Sequence, residues 1–369
     1  MTAGGATLRV LHLDTERGWR GGERQVLWLA RELAERGHHS VVGARPGQPL
    51  SRAAGAAGLP LIGCAPLFPA SPVAALRLRA SIRHGRFDIV HAHTAHALTM
   101  GALATLQTRA VLVVTRRAVF PLGRGTVTRW KYSRARAVIA ISRQVREVMI
   151  AGGVPPHSIT VVPSGTDLTR AKQPASPDRL RALGVTPGLP LVLMVAALGN
   201  DKDPLTFVRS VADARDRGAR FQALLAGDGH LMEAVLAERQ RLGLEQTLRV
   251  PGWLEDADAL VASCDVLVLS SRHEGLGSVL LDAMHNGKPV AATTAGGIPE
   301  VVADGETGLL VPPEDPVRLG AAIDRLCGDA GLRSRLGQAG ARRVQEFSVA
   351  RMTDATMDVY RQALRGADG

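Results

Sequence analysis

The chain has 369 residues, 46% of them hydrophobic and 21% charged, with a net charge of +11. Its length and apolar content suit two domains of ordinary size and exclude a disordered or fibrous chain. Three widely spaced cysteines, Cys64, Cys264 and Cys327, argue against a disulfide framework or a zinc site and point to a reducing, cytoplasmic setting, and no apolar run approaches the roughly 18 residues of a spanning helix.

Met1-Thr2-Ala3-Gly4-Gly5 leads into the strand-like Leu8–Leu13 with no charged-then-apolar leader between them. A glycine-rich loop, Asp14 to Val26, follows and opens a helix expected over Glu23–Arg36, closed by Gly37. Helix starts after such loops favour phosphate, because the first amides have no partner and the peptide dipoles align. Gly21 and Gly22 are therefore candidate ligand contacts, although the loop lacks the Gly-x-Gly-x-x-Gly spacing of a dinucleotide fold. A capped turn explains the same residues. Strand-like runs continue at Ser40–Gly43, Phe87–His91, Ala110–Val114, Ala137–Ala140 and Ile159–Val162. His91 and His93 share a strand face, with His96 close behind; without a cysteine or acid nearby they read as lining of the cleft wall rather than as metal ligands.

Charge is distributed unevenly. Residues 1–165 carry 22 Lys and Arg against 7 Asp and Glu, whereas residues 166–369 carry 23 against 27. Arginines crowd Arg77 to Arg86 and Arg116 to Arg136, the latter interleaved with Trp130 and Tyr132. An anionic membrane surface and a phosphorylated acceptor are the partners this suits; nucleic acid ranks last, since aromatics are 3% of the chain and no nucleic-acid module is present. Arginines on solvated helix faces are the plain alternative.

Between Pro163 and Pro190 the pattern lapses into a Pro-containing polar segment, which reads as a hinge. Alternation restarts at Leu191–Ala196, Phe221–Leu225, Asp265–Leu269 and Pro289–Ala291, and Ser348–Gly369 reads as a closing helix that crosses back to the first half. The expected fold is α/β, two doubly wound Rossmann-like domains facing across a cleft: residues 1–168 on the acceptor side, with 348–369 packing back on them, and 169–347 on the donor side.

In the second half, Lys202 lies in a strand-to-helix loop where a cation can neutralise a diphosphate leaving group. Asp201 with Asp203, and Asp256 with Asp258, form Asp-x-Asp pairs at helix starts, expected as caps rather than metal ligands. The most informative stretch runs from Asp265 to Met284. A buried-type strand passes into a loop holding Glu274, Gly275, Leu276 and Gly277, and then into a helix headed by Ser278 and Val279 and carrying Asp282. This order builds an anion site flanked by two carboxylates, which suits a sugar nucleotide. A plain turn with a solvated acid is the rival reading.

These residues carry a resemblance. Gly21-Gly22-Glu23-Arg24, Pro163-Ser164-Gly165-Thr166-Asp167, Gly296-Gly297-Ile298-Pro299-Glu300 and Thr307-Gly308-Leu309-Leu310-Val311-Pro312-Pro313 resemble motifs of the bacterial family 4 glycosyltransferases, retaining enzymes of GT-B architecture, over nearly the whole length. The resemblance implies a metal-independent, hexosyltransferase-like enzyme that takes a nucleoside-diphosphate sugar as donor and a lipid-linked or other glycan as acceptor. Lipopolysaccharide or other envelope glycan assembly at the inner face of the plasma membrane would be its setting. It further implies that Glu274 contacts the transferred sugar, Asp282 (where the family has Glu) the ribose, Lys202 the diphosphate and the backbone at Leu254 the nucleobase, with Gly21, Gly22 and His93 also at the site. Besides Asp282, two positions depart from the pattern. Ala197 replaces an arginine, and Arg117 stands where a histidine is expected, so that its contribution to catalysis is electrostatic. A nucleotide-sugar-binding protein without transfer, an epimerase and an inverting transferase are the alternatives.

Overall fold

The computed structural model describes residues 7–64, 71–123, 125–170 and 173–366. Met1–Gly5, Arg124 of the basic run and the last three residues of the expected closing helix lie outside them. The chain divides into two compact units, one formed by the residues up to Gly165 together with those from Val349 onward, the other by Thr166–Ser348.

The first unit holds a seven-stranded parallel sheet of β1 (Arg9–Leu13), β2 (His39–Ala44), β3 (Leu61–Gly63), β4 (Ile89–Ala92), β5 (Val111–Arg116), β6 (Ala137–Ala140) and β7 (Ile159–Val161), in the order β3-β2-β1-β4-β5-β6-β7. The second holds six parallel strands, β8 (Leu191–Val195), β9 (Gln222–Ala226), β10 (Leu248–Gly252), β11 (Val266–Leu269), β12 (Val290–Thr293) and β13 (Gly308–Val311), ordered β10-β9-β8-β11-β12-β13. In both units the order reverses beside the first strand, as in a doubly wound Rossmann-like fold, and ligands of such sheets bind beyond the carboxyl ends of the strands at that reversal. The α/β class is therefore as expected, two Rossmann-like units in succession.

Central strands are continuous apolar runs because helices cover both faces of a parallel sheet; β11, Val-Leu-Val-Leu, is wholly buried. The closing helix, Val349–Arg365, puts Met357, Val359 and Tyr360 into the core of the first unit against Val10, Ile89 and Val113. Thr166 joins the two places where the chain passes between units: its amide donates to the Phe347 carbonyl at 2.7 Å and it forms a parallel bridge with Ser348. The change of unit thus falls at the start of the Pro163–Pro190 segment, and Pro177–Ala182 within that segment is helical.

Three strands carry too little pattern to be predicted. β3 is a three-residue edge strand, half exposed; β10, at the opposite edge of its sheet, contains Pro251 and a register shift; β13 is an edge strand of four residues. The first helix begins at Gly21, two residues earlier than expected, because the Glu23 carboxylate accepts from the Arg20 amide at 2.6 Å and so closes the first turn.

Candidate functional site

In the second unit, loops from several strand ends meet around Glu274. β11 is followed by Ser270 and Ser271, and the chain then turns through Glu274 to Gly277, whose left-handed backbone (φ 88°) starts the helix Ser278–His285. Only glycine adopts that conformation at no steric cost. The amides of Ser278 and Val279 head the helix, where no preceding turn supplies acceptors, and both residues are partly exposed. Leu276, by contrast, is buried and anchors the loop.

The Glu274 carboxylate is ion-paired with the Lys202 ammonium; it also accepts from the Gly275 amide at 3.1 Å and lies 3.4 Å from the Ser271 hydroxyl. The acid and the cation singled out in separate loops therefore touch. Behind Glu274 stands the Gly296-Gly297 turn. The Gly297 amide donates to the Glu274 carbonyl at 3.0 Å, and a Cβ on Gly296 would lie 1.8 Å from that same oxygen.

Asp282 is buried about one turn into the helix Ser278–His285, with Oδ1 accepting from the Thr166 hydroxyl at 3.0 Å and lying 3.6 Å from Arg170 Nη2. Leu254 sits half-buried, two residues past β10. Of the Asp-x-Asp pairs, Asp203 caps the helix Pro204–Asp216, as expected. Asp256 does not cap; both its oxygens take the Arg179 guanidinium, while Asp258 pairs with Arg170. Gly227 and Gly229 are glycines for packing: a Cβ on either would strike the backbone of Ala196 or Leu198.

In the first unit, Gly21 and Gly22 open the helix Gly21–Glu35 beside Arg117, whose Cδ lies 3.7 Å from where a Gly22 Cβ would be. Arg117 Nη1 donates to the Ser164 hydroxyl at 3.2 Å, and its Nε is buried with no partner among the described residues. Burial lowers this guanidinium to about 10, against the pull of Asp14 and Glu23, so it stays charged at neutral pH. Asp14, first residue after β1, was missed as a site candidate although strand ends are where chemistry collects. Burial raises its carboxyl to about 7; the Glu16 amide and Arg117 oppose that shift, while Glu23 and Glu16 reinforce it.

His93 Nε2 lies 3.2 Å from His12 Nδ1, and His91 bonds Tyr360 and Thr115, each at 2.7 Å. One ring nitrogen from each of these three histidines lies within 4.8 Å of the others, close enough for a metal ion; both nitrogens of His91 serve hydroxyls and His12 Nδ1 and His93 Nε2 serve each other, while His12 Nε2 and His93 Nδ1 are buried with no partner among the described residues. His96 is exposed on the next helix.

Burial lowers His12 to about 3 and His91 and His93 well below 6.5. An unfolded chain protonates all three as pH falls below 6.5 while the folded one does not, so stability is complete above that value and is lost toward pH 3. Asp14 acts in the opposite sense, since the folded chain keeps its proton between pH 4 and 7. The three histidines therefore weaken the fold between pH 7 and pH 5 while Asp14 strengthens it, and with three groups against one the net change is a fall in stability. Urea unfolding at the two pH values measures it, and His12→Gln should flatten the slope by one proton.

Comparison with known proteins gives a consistent result. Residues 189–329 match the sequence model of the glycosyl transferases group 1, and residues 19–170 that of Glycosyltransferase Family 4. The alpha-maltose-1-phosphate synthase of Mycobacterium tuberculosis is 32% identical over 309 residues, 74% of this chain and 79% of that protein. A D-inositol 3-phosphate glycosyltransferase of Streptomyces bingchenggensis is 27% identical over 78% of this chain and 69% of its own length. Among solved structures, Anabaena Alr3699/HepE in complex with UDP-glucose has the same fold, with a TM-score of 0.83 at 24% identity over 95% of this chain and 98% of that one.

Proposed function

The chain belongs to the family 4 glycosyltransferases, which use nucleotide sugars, and from that premise we propose that its second unit holds the donor at Glu274, Lys202 and the start of the helix Ser278–His285. The observation that carries the reading is the contact between Glu274 and Lys202 beside that helix start. A bound diphosphate takes over the Lys202 ammonium and the amides of Gly277, Ser278 and Val279, while Gly275 and Leu276 give the loop its close approach. Glu274, released from Lys202, orients the sugar hydroxyls.

Transfer then proceeds with retention. The bond from the anomeric carbon to the phosphate oxygen breaks, a bond to the acceptor oxygen forms on the same face, and the departing phosphate oxygen takes the acceptor proton. No step requires a metal ion. Leu254 meets the nucleobase. The ribose lies toward Asp282, which holds the Thr166 hydroxyl and pairs with Arg170 and, one methylene shorter than glutamate, has less reach. In the first unit, Gly21 and Gly22 at a helix start beside Arg117, together with His93, form a separate group suited to an anionic ligand.

For the acceptor, the two relatives named above support a phosphorylated substrate, and the excess of arginine in residues 1–165 suits the same charge. The lipid-linked form of such an acceptor fits an enzyme of envelope glycan assembly working at a membrane surface. Among the described residues no helix is long and apolar enough to cross a membrane. The helix Thr126–Arg134 instead exposes Val127 and Trp130 beside Arg129, Lys131 and Arg134, with Phe120 exposed just before it. Apolar and basic groups together suit the headgroup region of an anionic bilayer, each basic residue contributing about 1 kcal/mol near the surface. Co-sedimentation at low salt should recover most of the protein with vesicles containing anionic lipid and little with neutral ones; equal recovery removes the membrane reading and leaves the transferase intact.

Donor identity is accessible by thermal shift across a panel of nucleotide sugars, where a ligand at 100 times its Kd stabilises by about 2.7 kcal/mol. A shift with no nucleotide sugar refutes the site.

A further inference from the structure

Lys202 and Glu274 both lie in loops, so neither is placed by a helix or a strand. What sets their separation is the bonding between the loops. The Ser270 hydroxyl is 3.1 Å from the Lys202 carbonyl and 2.9 Å from that of Asp203. The Asp201 carbonyl accepts the Arg272 amide at 2.9 Å and the His273 amide at 3.1 Å. A bond between two side chains completes the set: Arg272 Nε donates to Asp203 Oδ2 at 2.8 Å. Lys202 is thereby flanked on both sides by residues fastened to the segment that bears Glu274.

Asp203 is suited to be the fixed end. Its side chain is 3% exposed, its backbone is in the left-handed region at φ 46°, and its carboxylate also holds Thr206, whose amide and hydroxyl lie 3.3 and 2.6 Å away. A non-glycine residue in that conformation persists only where its surroundings determine it. Arg272 is the adjustable end, 41% exposed, with Nη1 reaching Glu314 beyond β13 at 3.1 Å. A half-exposed ion pair adds little stability, whereas a displacement of about 1 Å between reacting groups costs about 100-fold in rate. The consequence of this pair therefore lies in geometry.

We infer that Arg272 is a positioning residue for transfer: through Asp203 it fixes the Lys202 loop against Glu274, without itself touching the donor. The inference rests on the proposed roles of Lys202 and Glu274. Its test is a double-mutant cycle with Arg272→Gln and Asp203→Asn, the asparagine keeping an oxygen that can cap the helix. Each single variant should lower kcat about 10- to 100-fold with the donor KM nearly unchanged, and should raise the share of donor lost to water. The double variant should be no worse than the poorer single one, Arg272→Lys should recover most of the rate, and Glu314→Gln should leave it unchanged.

Full kcat in Arg272→Gln overturns the inference, as do losses that multiply in the double variant, or losses that follow thermal stability across the set. If Arg272→Gln does not fold, Arg272→Lys and Arg272→Met are compared, and equal rates in those two also overturn it. Wild-type protein that transfers and a Glu274→Gln variant that does not keep the functional reading standing even where this inference fails; a wild type without transfer removes the reading itself.

Discussion

Glu274→Gln should lower kcat by about 1,000-fold, some 4 kcal/mol of transition-state stabilisation, while donor affinity changes less than about 10-fold. Glutamine matches the shape of glutamate and keeps an oxygen for the Gly275 amide; only the charge is lost, and with it the ion pair to Lys202. The affinity should survive because the proposed site rests the phosphates on Lys202 and the helix start rather than on the acid. Stability should barely move. The two side chains are 11% and 23% exposed, and a pair open to solvent on one side contributes about 1 kcal/mol or less, a shift of about 2–4 °C in Tm. Steady-state kinetics with the donor found by thermal shift, alongside a melting curve, measures both quantities. Wild-type turnover in this variant contradicts the assignment.

Gly296→Ala should be almost as damaging without touching any ligand. Its new methyl group would stand 1.8 Å from the Glu274 carbonyl oxygen, on a backbone already at φ 55°. Because the obstacle is main chain, no side-chain rotation relieves it and the Glu274 loop must move. About 2–4 kcal/mol of stability should be lost, and kcat should fall about 100-fold as Glu274 leaves its place. Gly305→Ala is the matched control: it has the same left-handed backbone, at φ 72°, but nothing lies within 4 Å of the added Cβ. It should cost only about 1 kcal/mol of conformational strain and leave the rate intact. Equal loss of activity in both variants would show that the effect belongs to glycine strain in general and not to the support of Glu274.

Much of the fold was legible because parallel strands covered on both faces are uninterrupted apolar runs: β8, β11 and β12 announce themselves in this way. Edge strands are not covered, and their sequences bend to other demands. Pro251 in β10 gives up a ladder donor, and β3 is short and exposed. In the site, the glycine loop and Glu274 could be read because a strand, a loop and a helix follow one another directly in sequence. Lys202 was legible as a loop cation, but its contact with Glu274 was not, since 72 residues separate them. Asp203 read as a helix cap and is one; its second partner, Arg272, appears only when two loops are folded together.

Buried polar groups are the other class that the sequence conceals. His12 lies within an apolar strand, and nothing local says that its partner is His93, 81 residues away. Asp14 could have been found by the rule that strand ends carry chemistry. Its raised carboxyl, however, depends on burial and on the charges of Glu23 and Arg117, which are three-dimensional facts. Asp282 shows the same limit. Its place in the helix was clear from spacing, whereas its bond to Thr166, at the point where the chain changes units, was not.

A crystal structure of the protein with a nucleoside diphosphate bound, UDP first, tests the central claim most directly. The account predicts phosphate oxygens about 3 Å from the amides of Ser278 and Val279 and from the Lys202 ammonium, with the Glu274 carboxylate freed from that lysine. Phosphates bound elsewhere, with Lys202 still closed on Glu274 or the two amides covered by protein atoms, would contradict it.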